Sequence, residues 1–213
     1  MQKTLEQTLA EIRAGTGGPL DALNDELVVR LVNAETANHA LKAGDACPDI
    51  ALPSAEGRFV RIRTLLETGP LVICFYRGRW CPYCSAELEA LHEAGPAISA
   101  KGGTLIAITP EAGGVALNVK RERGFGFDIL CDLDNGAALT FGLVFRLPAD
   151  LEALFRSVNF DLAKVYDNDS WFLPIPATYI IGRDGVVAHA YVNPDFRHRL
   201  DPVEVIRVLS ELP

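Results

Sequence analysis

The sequence has no surplus of basic charge, no long apolar run and no histidines at ligand spacing. Each absence removes a class of function. Twenty Lys and Arg stand against 28 Asp and Glu in 213 residues, a formal net charge of −8. Phosphate recognition wants a basic face, so nucleic acid is excluded as an obligate partner. The same acidity gives little pull toward anionic membranes. The longest apolar runs, such as Leu71–Tyr76, fall far short of the roughly 20 residues that cross a bilayer. The first fifteen residues, MQKTLEQTLAEIRAG, are charged and hold no apolar h-region, so they do not read as a secretory signal. The expected compartment is therefore the cytoplasm, where thiols stay reduced and the five cysteines build no disulfide framework. His39, His92, His189 and His198 show no metal spacing, and no strand–GxGxxG–helix context supports a nucleotide. No cofactor and no metal are expected.

What is present is a patterned chain with 49% hydrophobic residues, long enough for a sizeable core. Residues 1–41 read as a helical extension. Leu5, Leu9 and Ile12 share one stripe; after a break at Gly15–Pro19, Leu20, Leu23, Leu27 and Leu31 share another. Such stripes must be buried. They either pack on their own domain or form a homodimer face. From residue 42 the pattern becomes one domain, 42–213. Leu71–Tyr76, Leu105–Thr109 and Phe127–Cys131 read as buried strands. Cys81 to about Ala100 and Glu111–Arg123 read as helices. Ala177–Ile181 and Val186–Val192 form a hairpin across Gly182–Gly185. The last helix opens on Asp201-Pro-Val-Glu204, with a capping residue, an N1 proline and a capping-box glutamate. Alternating strands and helices predict an α/β fold. The stretch Arg146–Pro176 shows only a short helix at Asp150–Val158, reads as an insertion, and is a candidate cover for an active site.

The chemistry concentrates at Trp80-Cys81-Pro82-Tyr83-Cys84. The pair lies between a buried strand and a long helix, which puts both sulfurs at the first turn, on one face. Free N–H groups and the positive end of the helix dipole favour thiolate there. Arg77 and Arg79 add cationic character, and Trp80 either shields the pair from water or simply packs. Zinc would need two more ligands, which the scattered Cys47, Cys74 and Cys131 do not offer. Redox chemistry is the expected role. Cys74 and Cys47 read as packing thiols, and Cys131 as a thiol at a strand end that either fills the core or serves as a second resolving group. A cis peptide is expected at Ile175–Pro176, ahead of the strand from Ala177, where it would free backbone to grip an extended partner.

Gly44-Asp-Ala-Cys-Pro-Asp-Ile-Ala-Leu52 resembles the G-D-x-A-P-D-F-x-L opening of AhpC/TSA-family peroxiredoxins. Phe75-Tyr76-Arg-Gly-Arg-Trp-Cys81-Pro-Tyr-Cys84-Ser-Ala-Glu87-Leu88 resembles their F-Y-P-x-x-x-T-x-x-C-x-x-E-L motif. Asp169-Ser-Trp171 and Pro174-Ile-Pro-Ala-Thr-Tyr179 are similar to a CxxC-bearing subfamily with a helical extension. The likeness covers residues 42–213 and implies a thioredoxin-like fold. It places Cys84 on the peroxidatic cysteine, Cys81 on the family threonine and Glu87 on the family glutamate. Two positions depart. Arg77 stands at the proline that packs over the sulfur, and Pro176 stands about where an arginine polarises the peroxide. Three readings follow. In a thiol peroxidase, Cys84 reduces hydrogen peroxide or alkyl hydroperoxides, Cys81 resolves, Arg77 or Arg79 replaces the arginine, and thioredoxin or glutathione resets the pair. In a thiol–disulfide oxidoreductase, a more exposed Cys81 attacks and Pro176 positions the partner chain. In the third, the fold is a redox-inert interaction module.

Overall fold

The computed structural model describes residues 3–17 and 19–213; Met1, Gln2 and Gly18, and the side chains of Pro19 and Leu20, lie outside that description. Two helices come first, α1 (Leu5–Gly15) and α2 (Pro19–Asn33). Thr4 and Gln7 form a capping box that starts α1. A hairpin, β1 (Ala51–Pro53) and β2 (Phe59–Arg61), and a short α3 (Ile62–Leu66) follow. Next come β3 (Leu71–Phe75), α4 (Pro82–Glu93), α5 (Gly95–Ala100), β4 (Thr104–Thr109), α6 (Gly113–Arg123) and β5 (Asp128–Cys131). The single helix expected from Cys81 to Ala100 is two, because Pro96 has no N–H to continue the ladder and starts a new helix instead.

The region after β5 holds α7 (Gly136–Thr140), β6 (Val144–Arg146), α8 (Ala149–Ser157), α9 (Leu162–Tyr166) and β7 (Phe172–Pro174). The chain closes with β8 (Ala177–Ile181), β9 (Val187–Val192) and α10 (Pro202–Glu211). Five strands form one mixed sheet, ordered β5-β4-β3-β8-β9; β3 runs parallel to β4 and antiparallel to β8. This is the expected α/β architecture, a central sheet flanked by helices.

The pleat divides the core. Leu71, Ile73 and Phe75 join the cluster on one face, which includes α2 and the 137–175 region. Val72, Cys74 and Tyr76 join the other, with Cys84, Leu88 and Leu91 of α4 and Val205, Val208 and Leu209 of α10. The N-terminal stripes close onto this same domain. Leu5, Leu27 and Leu31 are buried, and Leu9 and Ile12 pack against the α4 side.

The insertion is more regular than its sequence pattern predicts. β6 and β7 pair antiparallel, and α8 and α9 fill the arc between them. The expected cis proline is not there: no cis peptide bond occurs among the described residues. β7 is already extended along β6, and the Ile175 N–H donates to the Leu143 carbonyl at 2.7 Å. The chain thus enters β8 extended, and a trans Ile175–Pro176 bond suffices.

Candidate active site

β3 is the central strand, buried along its whole length. Its carboxyl end delivers the chain into a loop, Arg77–Trp80, and then into α4. Cys81 is the N-cap: its extended backbone and its Sγ, which accepts from the Cys84 N–H at 3.4 Å, start the helix. Pro82 fits the first turn, where no intrahelical N–H partner exists. One turn later Cys84 faces back, and the two sulfurs lie 2.7 Å apart, with Cys84 donating to Cys81. Both are fully buried. The expectation that Cys81 is the more exposed sulfur does not hold, because α1 packs on α4 and the insertion covers the loop.

Each sulfur has its own guanidinium. Arg77 Nη2 donates to Cys81 Sγ at 3.3 Å, and the Arg77 head lies over the Phe196 ring, 3.7 Å from its centroid. Arg199 Nη2 donates to Cys84 Sγ at 3.3 Å. Arg199 Nε also pairs with Glu87 Oε2 at 2.6 Å, and Thr178 Oγ1 donates to Glu87 Oε1 at 2.9 Å. Register explains the meeting: Thr178 sits opposite Cys74 across β3 and β8, on the sheet face that α4 covers. Burial pushes the Glu87 carboxyl up, against the pull of Arg199 and Thr178.

The pair shares a proton unequally. Burial alone would raise Cys81, but the Cys84 hydrogen bond, Arg77 and Arg199 outweigh it and hold it well below the usual thiol range. Cys84 is pushed well above that range by burial, by its bond to Cys81 and by the charge on Cys81. The direction of the Cys84–Cys81 hydrogen bond and the Arg77 guanidinium on Cys81 both favour the negative charge on Cys81 and the proton on Cys84.

The other predicted residues divide. Trp80 borders the site and packs on Phe160 of the insertion, with ring centroids 5.1 Å apart. Arg79 does not reach either sulfur in any described bond; its backbone N–H binds Glu111 instead. Pro176 is buried at the foot of β8 and contributes no described hydrogen bond or cavity wall. Trp171 lies in the core, and Asp169 accepts from its indole N–H at 3.3 Å, so this triplet shapes the insertion. Cys131 is a buried thiol, pushed up to about 11 by burial. Among the described residues no cluster of three or more metal-ligating side chains occurs. A cavity of about 530 Å³ opens beside the pair, between the N-terminal helices and the insertion, with Arg77, Trp80, Tyr83, Phe155, Phe160 and Phe196 on its walls.

Sequence reasoning missed Arg199. It sits 115 residues from Cys84, in the loop before α10. Its only sequence signal is weak: it is one of two arginines in Arg197-His198-Arg199, with nothing to say which one turns inward.

The AhpC/TSA family profile matches residues 43–190. The chain belongs to the AhpC/TSA family. Within 43–190 lie both cysteines, Arg77 and Glu87; Arg199 lies beyond it. Among curated relatives of this AhpC/TSA protein, chloroplastic peroxiredoxin Q of Oryza sativa subsp. japonica is 24% identical over 169 residues, 79% of this chain and 67% of the relative. The thiol-disulfide oxidoreductase ResA of Bacillus anthracis is 20% identical over 162 residues, 76% of each chain. Peroxidoxin BcpB of Mycobacterium tuberculosis superposes with a TM-score of 0.65 at 19% identity, covering 81% of this chain and 99% of that one. At that identity the superposition speaks for the fold.

Proposed function

We propose that this AhpC/TSA protein is a thiol peroxidase in which Cys84 attacks the hydroperoxide and Cys81 resolves. The observation that carries the reading is Arg199. Its guanidinium, braced by Glu87, stands on Cys84, the place where charge moves as an O–O bond breaks. The family membership supports the same reaction class.

The geometry supports a balanced route. Cys81 thiolate takes the Cys84 proton across the 2.7 Å contact. Cys84 thiolate attacks one peroxide oxygen, the O–O bond breaks, and Cys84 becomes a sulfenic acid. The departing alkoxide, or hydroxide from hydrogen peroxide, takes the proton back from Cys81. The regenerated Cys81 thiolate attacks the sulfenic sulfur, forms the disulfide and expels hydroxide, which takes up one proton from the bulk solvent; the full cycle to the disulfide thus consumes that proton and the resting thiolate charge. Two thiols of a donor, thioredoxin or glutathione in the cytoplasm, then reduce the disulfide by exchange. A buried, low-dielectric pair gives Arg77 and Arg199 more weight than they would have in water.

A second reading is favoured by one observation, the low-lying Cys81 thiol at a helix N-cap. In it Cys81 attacks a partner disulfide and Cys84 resolves the mixed disulfide. The two separate in one experiment. Pre-reduced wild type, Cys81→Ser and Cys84→Ser are each given one equivalent of hydrogen peroxide and a sulfenic-acid trap, and assayed in parallel for reduction of a glutathione disulfide. Under the peroxidase reading Cys81→Ser traps one sulfenic acid per chain and Cys84→Ser traps none. Equal trapping in both variants, with disulfide reduction abolished only in Cys81→Ser, would put the second reading in its place.

A further inference from the structure

We propose that Glu111 is a positioning residue: its carboxylate clamps the Arg77–Trp80 loop and thereby holds the Arg77 guanidinium against the Cys81 sulfur. The inference rests on the Cys81–Cys84 pair being the redox site. It does not depend on which sulfur attacks first.

Glu111 follows β4 and is fully buried, an unusual place for a carboxylate to which no cationic side chain is bonded among the described residues. Both of its oxygens accept from the Arg79 backbone N–H at 3.0 Å. Gly78 explains how it comes so close. That residue has φ of +140°, and a β-carbon there would meet the Glu111 Cδ and Oε1, and Trp80 Nε1, all at 2.8 Å. The glycine is the gap through which the carboxylate reaches the loop. On the other side, the Tyr166 hydroxyl of the insertion donates to the Arg77 carbonyl. The loop is thus pinned at Arg77 by α9 and at Arg79 by the residue after β4, with Gly78, the most permissive residue, between the pins. Without Glu111 the Arg79 N–H loses its acceptor and the loop loses one of its two anchors.

The clamp also senses the pair it serves. Burial pushes the Glu111 carboxyl up to about 7; the Arg79 contact opposes this, and negative charge on Cys81 raises it further. The ionisable groups coupled to the carboxyl are Arg79 in the loop, Cys81 at the start of α4, Tyr76 at the end of β3, Cys131 at the end of β5 and Tyr166 of α9. Repulsion between Glu111 and Cys81 is reciprocal, since a coupling free energy is shared by both groups. Two effects on Cys81 therefore oppose each other. The carboxylate charge makes its thiolate harder to form, whereas the clamp, by presenting Arg77, makes it easier.

That opposition is the test. Cys47 and Cys131 are pushed up to about 11, and Cys74 and Cys84 are raised as well, so the lowest thiolate step belongs to Cys81. The pH dependence of thiolate ultraviolet absorbance is followed in the full-length protein and in two variants. Glu111→Gln keeps an acceptor oxygen and removes the charge; its Cys81 step moves down by roughly half a unit. Glu111→Ala removes the clamp as well; its step moves up by about one unit, because Arg77 is no longer held in place. A role in stability alone moves the urea midpoint and leaves the titration where it was. The proposal is overturned if Glu111→Ala lowers the Cys81 step or leaves it unchanged. Should Glu111→Ala not fold, Gly78→Ala displaces the carboxylate from the other side and must raise the step, or the proposal fails. Wild-type reaction with peroxide is measured separately, so loss of the peroxidase reading leaves this outcome readable.

Discussion

Replacing Arg199 by methionine isolates the contribution of the arginine that stands on Cys84. The guanidinium is 3.3 Å from the sulfur. At an effective dielectric near 20, a full negative charge there gains roughly 5 kcal/mol. Glu87, paired to the same guanidinium, carries a charge of the same sign as the sulfur and offsets part of that gain. The remainder, about 3 kcal/mol, is the size found for losing one preorganised donor and corresponds to roughly 100- to 1000-fold in rate. Arg199→Met should therefore slow oxidation of Cys84 by hydrogen peroxide by that factor in stopped-flow tryptophan fluorescence. It should also destabilise the fold, because Glu87 is left buried without its cation, at a cost of about 3–5 kcal/mol. Protonation of Glu87, whose carboxyl burial already pushes up, trims that cost. The double variant Glu87→Gln, Arg199→Met separates the effects. It should recover most of the stability in urea melts and none of the rate. Oxidation of the single variant at the wild-type rate would refute the assignment of Arg199, and so would a double variant that regains the rate.

Two further outcomes follow from the same geometry. Asp201 caps α10 by accepting from the Val203 N–H at 2.8 Å, so Asp201→Ala should cost about 1 kcal/mol in urea unfolding and leave the peroxide reaction unchanged. Glu111 should make stability fall as pH rises from about 4.5 to about 7. The unfolded chain releases that proton near 4.5 and the folded one holds it until about 7, so the loss across this window is about 3 kcal/mol and complete above it. Glu111→Gln should flatten the decline between pH 4.5 and 7, read as urea midpoints across that range.

Much of the fold was legible because its signals are local. β3 and β4 are unbroken apolar runs, and the caps of α10 are written in four consecutive residues. The 177–192 hairpin announced itself by its turn residues. The insertion was less legible. Its strands β6 and β7 are three residues each and pair across a gap of 25 residues, too short and too distant for a periodic signal. At the site, Cys81, Cys84, Arg77 and Trp80 fall within one strand–loop–helix segment, so spacing placed them together, and the family resemblance added Glu87 one turn further along the helix. Three differences between pattern and structure share a cause. Of the two arginines offered as alternatives Arg77 reaches a sulfur, whereas the Arg79 backbone binds Glu111; Pro176 is trans where a cis bond is expected; and Cys81, the more exposed sulfur in the disulfide-exchange reading, is as buried as Cys84. Each depends on a neighbour from elsewhere in the chain.

The sequence by itself determined that two thiols one helical turn apart would meet at the N-terminus of a helix behind a buried strand. That follows from helix geometry and from the apolar run before it. Only the tertiary structure decided which arginine serves which sulfur. Arg199 reaches Cys84 because α10 packs on the α4 side of the sheet, bringing the loop before it over the site, and Arg77 stays on Cys81 because Glu111 and Tyr166 grip its loop from two other elements. Side-chain direction and proton ownership in a buried pair are set by desolvation and by charges brought in from afar, which no local pattern encodes.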